Sequence, residues 1–480
     1  MITVLINKPE FEYDIHSLVK AFYPEEDVKV YCGEEAGEGI VFTIGLEEDG
    51  IRFWLEDQAA GEGAWMACAA DASRGERKNI LKQLIYRTLS EHIGKELPWG
   101  TLTGIRPTKI PMGMLEKGRP EDEILKAMEE TYFISGEKGL LSIEIAKRER
   151  EILSSLHYKE GYSLYIGIPF CPTTCLYCSF TSYPIASWKK RVGEYLDALE
   201  KEMAYVGEAY GDKIVDTVYI GGGTPTTLEP EELERLLAAA YRYFDLSHVQ
   251  EFTVEAGRAD SITKEKLQVL KKYGITRISI NPQTMEEETL RLIGRKHSPD
   301  QVREAFALAR KEGFDNINMD IILGLPGEGE EDVAYTTAEI RKLSPDSLTV
   351  HSLAIKRASG LSQWIEKNGM DALKNTDKTM EIAAGAARNM GMEAYYLYRQ
   401  KNMSGNFENV GYARPGKYGI YNILIMEEVQ TIVALGAGSI SKRIYSDGRI
   451  ERCDAVKDVS LYIEKIDEMI ERKRKLLVDS

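Results

Sequence analysis

The sequence has few cysteines for its length, and its basic residues are outnumbered by acidic ones. Six cysteines among 480 residues are too sparse for a disulfide scaffold. The 61 Lys and Arg residues against 77 Asp and Glu leave a formal net charge of −16, which argues against general binding to nucleic acid or anionic membranes. The start of the chain lacks a basic segment followed by an apolar run, and no stretch approaches the roughly 20 apolar residues of a membrane span. We therefore expect a cytoplasmic protein with reduced thiols, no nucleic-acid partner and no membrane span.

The composition is otherwise that of an ordinary globular protein, with 43% hydrophobic and 29% charged residues. At roughly 150 residues per domain, the length suggests about three domains. Changes in pattern along the chain predict their boundaries. We expect a small α/β domain of unknown role over residues 1–155, a core domain over 156–360, and an α+β extension over 361–480 that covers the substrate side.

The core domain alternates short apolar runs with amphipathic helical patterns. This alternation predicts repeated βα units and a parallel sheet. Six units suffice for a partial (β/α)6 barrel, so the predicted fold class is α/β. In such folds the chemistry lies at the carboxyl ends of the strands, and a polar motif does follow each predicted strand. The predicted strands cover residues 163–168, 216–220, 251–255, 277–280, 317–323 and 348–351.

The most specific motif is Cys171-x3-Cys175-x2-Cys178, directly after the first of these strands. Three thiolates on one loop can hold three corners of a cubane iron–sulfur cluster and leave the fourth iron open to a small molecule. Two alternatives stay open: a structural zinc site, with His157 as the fourth ligand, or three plain thiols.

A glycine-rich loop, Gly221–Pro225, follows the second strand, where glycines let backbone approach a ligand closely. A simple turn with a helix cap at Thr227 explains this loop equally well. Four further polar residues are expected at the mouth of the barrel. Each alone suits a salt bridge or a loop cap, but together they suit an amino acid joined to a ribose, which needs acids for the ammonium and hydroxyls and an arginine for the carboxylate. They are Glu255, Gln283, Arg295 and Asp320.

These motifs resemble those of radical S-adenosylmethionine (SAM) enzymes, in particular the oxygen-independent coproporphyrinogen III oxidase family and its HemZ-type branch. The resemblance rests on YIGIPFCPTTCLYCSF, GGGTPT, VEAGR, INPQT, IGR, NMDIILGLPG and LGAGSIS, which extend over residues 165–441. It implies a radical SAM barrel and a [4Fe-4S] cluster on Cys171, Cys175 and Cys178, with SAM at the open iron. It also implies conversion of coproporphyrinogen III propionates to vinyl groups, giving protoporphyrinogen IX, with a low-potential electron donor of the flavodoxin or ferredoxin type.

The resemblance also assigns SAM contacts residue by residue. Tyr165 and Gly222 match contacts to the cluster-bound SAM, and Glu255 matches the acid on its ammonium group. A second SAM molecule would touch Gly223 and Thr224. Further residues associated with that second molecule match here at Gln283, Arg295, Asp320 and Ala354. The other matches to cofactor contacts are Tyr177 and Ile440.

Two positions near the cysteines depart from the oxidases of this family. Gly167 stands where they have His, and Phe180 stands where they have a further Cys. The related haem chaperones also have an aromatic residue after the cysteine motif. Their His-Asn-x-x-Tyr-Trp signature corresponds here to a run that starts at Tyr421, so the haem-ligating His of that signature is missing, which weighs against a chaperone. Two alternative functions therefore stay open: a haem-binding chaperone, and a radical SAM enzyme acting on another tetrapyrrole.

A substrate with several carboxylates needs local positive charge. Basic residues near or beyond the predicted strand ends could supply it, although each could equally be a surface charge. They are Lys356, Arg357, Arg399, Lys401, Lys442 and Arg443. The aromatic residues Tyr395, Tyr396 and Tyr398 could face a macrocycle, or could alternate between core and surface along a strand.

Overall fold

The computed structural model describes residues 1–33, 39–55, 63–180, 182–356, 359–400 and 407–478. The chain divides into two compact units. The first consists of Met1–Lys147 with Arg399–Glu408, and the second of Arg148–Tyr398 with Asn409–Ser480. The three-part division with boundaries near residues 155 and 360 stays a prediction about the roles of these segments.

The first unit contains a five-stranded sheet. Its strands are β1 (Ile2–Ile6), β2 (Val28–Cys32), β3 (Ile40–Leu46), β4 (Gly50–Trp54) and β5 (Ala64–Ala67), in the order β2-β1-β3-β4-β5. Strand β1 is parallel to β2 and β3, whereas β3, β4 and β5 are antiparallel. The helices are α1 (Glu12–Phe22), α2 (Arg74–Ile93), α3 (Lys109–Glu116) and α4 (Glu121–Tyr132), followed by α5 (Gly136–Leu153), in which the unit ends. Apolar side chains of β1, β3, α1 and α2 share one core, so the α/β character predicted for this region is confirmed.

Six parallel strands form the centre of the second unit. They are β6 (Tyr162–Ile168), β9 (Val215–Gly222), β10 (Glu251–Glu255), β11 (Arg277–Ser279), β12 (Ile317–Leu323) and β13 (Ser347–Ser352), and they neighbour one another in chain order. Two short strands, β7 (Phe170–Cys171) and β8 (Tyr183–Pro184), pair separately. All six predicted strands are therefore confirmed, with ends that differ by no more than about two residues, the usual scatter of element boundaries.

Helices connect the parallel strands and complete the chain. They are α6 (Ile185–Trp188), α7 (Val192–Ala209), α8 (Pro230–Tyr243), α9 (Lys264–Lys272), α10 (Glu287–Leu292), α11 (Pro299–Lys311), α12 (Glu330–Leu343), α13 (Leu361–Asn368), α14 (Asp377–Asn389), α15 (Ile420–Glu427), α16 (Val459–Glu464) and α17 (Ile466–Leu477). Short 3-10 helices cover Pro225–Thr227, Ala259–Ser261 and Met370–Ala372. No helix in the described ranges combines the length and the apolar character that crossing a membrane requires.

Five later strands extend the same sheet at both edges. β14 (Glu393–Tyr398) and β15 (Asn409–Ala413) lie beyond β13, and β16 (Thr431–Leu435), β17 (Ile440–Ile444) and β18 (Ile450–Asp454) lie beyond β6. Strand β16 is parallel to β6, and the other added strands pair antiparallel. The predicted α+β extension therefore adds strands directly to the edges of the six-stranded parallel sheet.

The carboxyl-terminal helices pack on the second unit through a buried ion pair. Lys473 Nζ in α17 lies 2.7 Å from Glu202 Oε1 in α7, with both side chains at most 1% exposed. In α17 the side chains of Ile466 and Met469 are buried, at 8% and 1% exposure. Leu461 in α16 is 42% exposed.

Candidate metal and cofactor site

The three clustered cysteines follow the carboxyl end of β6. Cys171 ends β7, and its Sγ lies 3.5 Å from Thr224 Oγ1. The Cys178 amide donates a hydrogen bond to the carbonyl oxygen of Cys175 at 3.1 Å, which tightens the loop. Burial, with smaller contributions from nearby Cys178 and Cys175, raises the pKa of the Cys171 thiol to about 11. The three thiols therefore lie close enough to affect one another.

The chemistry of this donor set fits an iron–sulfur cluster. Arg258, which is 3% exposed, places Nη1 3.9 Å from Cys175 Sγ and so offsets thiolate charge. Within the described ranges no three His, Cys, Asp or Glu side chains surround a single metal ion. A cubane iron–sulfur cluster does not require that arrangement, because each thiolate would bind a different iron.

His157 does not belong to this group. Its Nδ1 lies 3.1 Å from Asp216 Oδ1, at the amino end of β6 and β9. The cysteines follow the opposite end of β6, roughly 20 Å away for a strand of this length. The zinc alternative with His157 as the fourth ligand is therefore wrong.

The glycine-rich loop is hydrogen-bonded to the cysteine loop. Gly223 donates its amide to Ile168 O at 2.8 Å, and Thr224 donates its amide to Phe170 O at 2.7 Å. A Cβ atom on Gly223 would lie 2.5 Å from Phe170 O, so this approach requires glycine. Gly222 has a φ of 106°, in the region that favours glycine.

The expected helix cap at Thr227 is not found. Thr227 ends a 3-10 helix, and its hydroxyl donates to Thr224 O at 2.7 Å. The N-cap of α8 is Glu229 instead. The threonine therefore stabilises the glycine-rich loop itself rather than the helix that follows.

Glu255, the last residue of β10, is buried beside Tyr219. The Tyr219 hydroxyl donates to Glu255 Oε1 at 2.6 Å. Burial raises the pKa of Glu255 to about 7, and the Asp320 charge adds to the effect. A carboxyl group with this pKa, at the carboxyl end of a strand, becomes ionised when a cation binds beside it.

Three tyrosine rings stack near this carboxyl group. Tyr219 stacks on Tyr421 with ring centroids 4.5 Å apart, and on Tyr165 at 6.2 Å. The Glu251 carboxylate accepts a hydrogen bond from the amide of Ile420 and so positions Tyr421 at the start of α15. Sequence reasoning missed Tyr219, although it pairs with Tyr165 across the sheet and lies two positions before Gly221, on the same face.

Arg295 is buried and lies among backbone carbonyl groups. Its Nη1 donates to Asn281 O at 2.5 Å and to Gly257 O at 3.2 Å, and its Nη2 to Tyr177 Oη at 3.3 Å. Only its buried Nε has no hydrogen-bond partner in the described chain. Burial raises the pKa of Tyr177, so its hydroxyl stays protonated. A hydrogen bond thus connects two of the predicted cofactor contacts, Arg295 and Tyr177.

Gln283 and Asp320 are also brought together. The Gln283 amide donates to Asp320 O at 3.0 Å, and its φ of 69° is a strained conformation for a residue with a side chain. The buried Gln283 Oε1 has no partner among the described residues. Burial opposes ionisation of Asp320, but His351, 3.7 Å away, and Asn318 lower its pKa overall.

Two other predicted contacts stand apart from these groups. Ala354 follows β13 and is partly buried. Ile440 begins β17 and is 47% exposed. Neither takes part in the contacts described above.

A small cavity opens beside the glycine-rich loop. Its lining includes Tyr165, Gly167, Phe180, Gly222 and Ser439. Its lining therefore includes two predicted SAM contacts, Tyr165 and Gly222. It also includes Gly167 and Phe180, the two positions at which this sequence departs from the oxidases it resembles.

Most of the basic residues considered for substrate binding have other partners, and Arg357 and Lys401 lie outside the described residues. Lys442 Nζ pairs with Glu428 Oε1 at 2.9 Å, and Arg443 donates to a main-chain carbonyl in α17. Arg399 is buried within the first unit over the ring of Trp99. A carboxylate-binding role for these three residues is therefore not supported.

The tyrosines of β14 do not form an open aromatic face. Tyr395 is 0% exposed and Tyr396 is 4% exposed, and both belong to a hydrophobic core cluster with α15. A bulge between Ala394 and Tyr396 turns both rings inward, which breaks the simple alternation of a strand. The macrocycle interpretation of Tyr395 and Tyr396 is therefore wrong.

Comparison with known proteins agrees with this geometry. Residues 165–340 match the radical SAM superfamily. Over 476 residues the chain is 40% identical to the oxygen-independent coproporphyrinogen-III oxidase-like protein HemZ of Bacillus subtilis, covering 96% of this chain and 95% of that protein. It is also 40% identical to the heme chaperone HemW of B. subtilis, over 195 residues that make up 40% of this chain and 51% of that protein.

The fold also matches a solved structure. Coproporphyrinogen III oxidase (HemN) from Escherichia coli, described as a radical SAM enzyme, aligns with a TM-score of 0.53 at 22% identity. The alignment covers 67% of this chain and 72% of that one. The predicted α/β radical SAM fold is thereby confirmed.

Proposed function

The chain belongs to the radical SAM superfamily and, within it, to the oxygen-independent coproporphyrinogen III oxidase-like family, and from this premise we propose that it oxidatively decarboxylates coproporphyrinogen III. Each of two propionate side chains would lose a hydrogen atom, an electron and carbon dioxide to become a vinyl group. The product is protoporphyrinogen IX. The reduced state of the thiols that this chemistry needs suits the cytoplasm.

Cys171, Cys175 and Cys178 are proposed to hold a [4Fe-4S] cluster. When bound and reduced by a low-potential donor of the flavodoxin or ferredoxin type, the cluster and SAM supply a 5′-deoxyadenosyl radical that abstracts hydrogen from the substrate. The observation that carries this assignment is the joining of the cysteine loop to the glycine-rich loop by Thr224 and Gly223, at the carboxyl end of parallel strands.

The protein's own contribution is to bind and orient SAM and to exclude water. Glu255 accepts the methionyl ammonium, and the cation favours the ionised form of a carboxyl whose pKa is about 7. The stacked rings of Tyr165, Tyr219 and Tyr421 line one side of the site and exclude water from it. Gly222 gives the backbone a close approach to the ligand.

The remaining predicted contacts would serve one SAM molecule or a second one. Gln283 Oε1 and Arg295 Nε are buried polar atoms without partners among the described residues. Gln283 Oε1 can therefore accept, and Arg295 Nε can donate, a hydrogen bond to a ligand without breaking an existing one. Gly223 and Thr224 belong to the same proposal. The proposed roles of Asp320, Tyr177, Ala354 and Ile440 rest on the resemblance.

An anaerobic assay of the reconstituted, reduced protein with SAM and coproporphyrinogen III tests the reaction. The expected result is a product lighter by two carbon dioxide molecules and four hydrogen atoms, with matching amounts of 5′-deoxyadenosine. Deoxyadenosine with a different product mass would indicate a radical SAM enzyme acting on another tetrapyrrole. Absence of both products would refute the enzymatic proposal.

A haem-binding chaperone is the second candidate function. It is favoured by the exposed aromatic ring of Phe180 at the cavity and by the HemW match over 195 residues. Gly167, which lines the same cavity, contributes no side chain that could transfer protons there. Stoichiometric haem binding without consumption of SAM would support this candidate over the enzyme.

A further inference from the structure

Phe180 and Lys356 form an aromatic and cationic pair at the edge of the cavity. Phe180 lines the cavity and is 70% exposed, an unusual state for a large apolar side chain. Lys356 Nζ lies 5.4 Å from the centre of the Phe180 ring. This distance lies in the range of a cation–π contact, which orients both side chains.

Lys356 has no carboxylate partner in the described part of the chain, where the Cys178 thiol is the titratable group that interacts with it. It is only partly exposed. Acidic residues outnumber basic ones by 77 to 61 in this protein, so an ammonium group without an acidic partner is unexpected. An anionic ligand would offset the free-energy cost of removing this ammonium group partly from water.

The cavity itself contains a second polar group without a partner. The hydroxyl of Ser439 is buried and makes no hydrogen bond within the described residues. Buried hydroxyl groups are normally hydrogen-bonded, and a bound ligand is one way to satisfy such a group. An exposed ring and an unsatisfied hydroxyl thus line one cavity, and an ammonium without a carboxylate partner among the described residues lies against that ring.

We propose that Phe180, Lys356 and Ser439 bind one carboxylate-bearing pyrrole ring of a tetrapyrrole. The pyrrole stacks on Phe180, its carboxylate pairs with Lys356, and the Ser439 hydroxyl donates to a carboxylate oxygen. This inference rests on the proposed function and deepens it, since it assigns residues that hold the substrate beside the predicted SAM contacts. Coproporphyrinogen and haem both carry such carboxylates, so they share this site chemistry.

Equilibrium titration of the full-length, reconstituted protein with coproporphyrin III, the stable oxidised form of the substrate, tests the site. Lys356→Met is expected to weaken binding about tenfold, because a charge-assisted contact is lost. Phe180→Ala is expected to weaken it about threefold. Lys356→Arg keeps the charge and should restore most of the affinity. The exposed Lys367→Met is the matched control and should bind as the wild type does.

Two further readouts separate a binding role from a structural one. The affinity of the wild type should fall with rising salt concentration, and that of Lys356→Met should fall less. Iron content and circular dichroism should be the same in every variant. A parallel titration with haem identifies which tetrapyrrole the site prefers.

Unchanged affinity in Lys356→Met, or no binding of either tetrapyrrole by the wild type, would overturn the site. The product assay is independent of this result. A protein that decarboxylates coproporphyrinogen III but binds equally well without Lys356 keeps the reaction and loses the site. A protein that binds through Lys356 but releases no carbon dioxide keeps the site and loses the reaction.

Discussion

Replacement of Glu255 by glutamine is expected to stabilise the SAM-free protein while it weakens SAM binding. Glutamine resembles the protonated carboxyl group in shape and can still accept the hydrogen bond from Tyr219. The wild-type side chain, in contrast, must ionise in a buried site as the pH rises. The two effects have opposite signs, which makes the variant informative.

The magnitude follows from the pKa. Burial raises the pKa of Glu255 from 4.5 to about 7, which corresponds to about 3 kcal/mol of preference for the protonated form in the folded state. Between these two values the folded protein binds more protons than the unfolded chain, so wild-type stability falls as the pH rises and levels off above about pH 7. The glutamine variant lacks this loss, so its advantage is absent at low pH and reaches about 3 kcal/mol near pH 8.

Thermal melting of the SAM-free protein at several pH values measures this difference. The melting temperature of Glu255→Gln should match the wild type near pH 4.5 and exceed it increasingly up to about pH 7. An exposed glutamate, Glu366→Gln, is the matched control. SAM affinity, measured separately, should fall about tenfold or more, because the ammonium loses its ionised partner. A melting difference that does not change with pH would refute the pKa argument, and unchanged SAM affinity would remove Glu255 from the site.

Three other substitutions test the cluster loop and the fold. Cys175→Ala should abolish iron loading with the fold intact, whereas Cys453→Ala should keep it; normal iron content and SAM cleavage in Cys175→Ala would contradict the cluster assignment. Gly223→Ala places a methyl group against Phe170 O, 2.5 Å away, so iron loading should drop while circular dichroism is preserved; full loading would show that the loop can yield. Lys473→Met leaves a buried carboxylate unpaired, so chemical denaturation should show a loss of about 3–5 kcal/mol, and a change below about 1 kcal/mol would contradict the ion pair's role.

Much of the fold was predictable because its signals are local. Strand-length apolar runs separated by helical patterns identified all six parallel strands, including Glu251–Glu255 and Ile317–Leu323 with the observed ends. The position of polar motifs after each strand then predicted which edge of the sheet carries the site. Neither step needs contacts between distant parts of the chain.

The site was predicted less completely than the fold. Glu255 was identified, but Tyr219, which donates to it, and Tyr421, which stacks on Tyr219, were not assigned to the site. Tyr219 and Tyr421 are about 200 residues apart in the chain, and apolar-looking tyrosines in a strand or helix are usually core residues. The pairing of β6 with β9 places Tyr165 beside Tyr219, and only the placement of α15 brings the Tyr421 ring to them.

Polar partners also depended on the tertiary structure. Arg295 was expected to meet a ligand carboxylate, yet most of its donors are used by the carbonyls of Gly257 and Asn281 and by Tyr177. Lys442 was considered for substrate binding and pairs with Glu428 instead. Sequence supplies the charge of such residues, but the nearest acceptor is set by packing between elements that are far apart in the chain.

The sequence by itself determined the order of the βα units, the cysteine triplet and the glycine-rich loop, because each is a pattern over a few neighbouring residues. The tertiary structure decided how the later strands extend the sheet on both sides and which side chains meet at the mouth. It also decided that Lys356, unlike Lys442, has no acidic partner in the described chain. The physical reason is that hydrogen bonding along one strand is local, whereas burial and the pairing of charges depend on every element that packs around a residue.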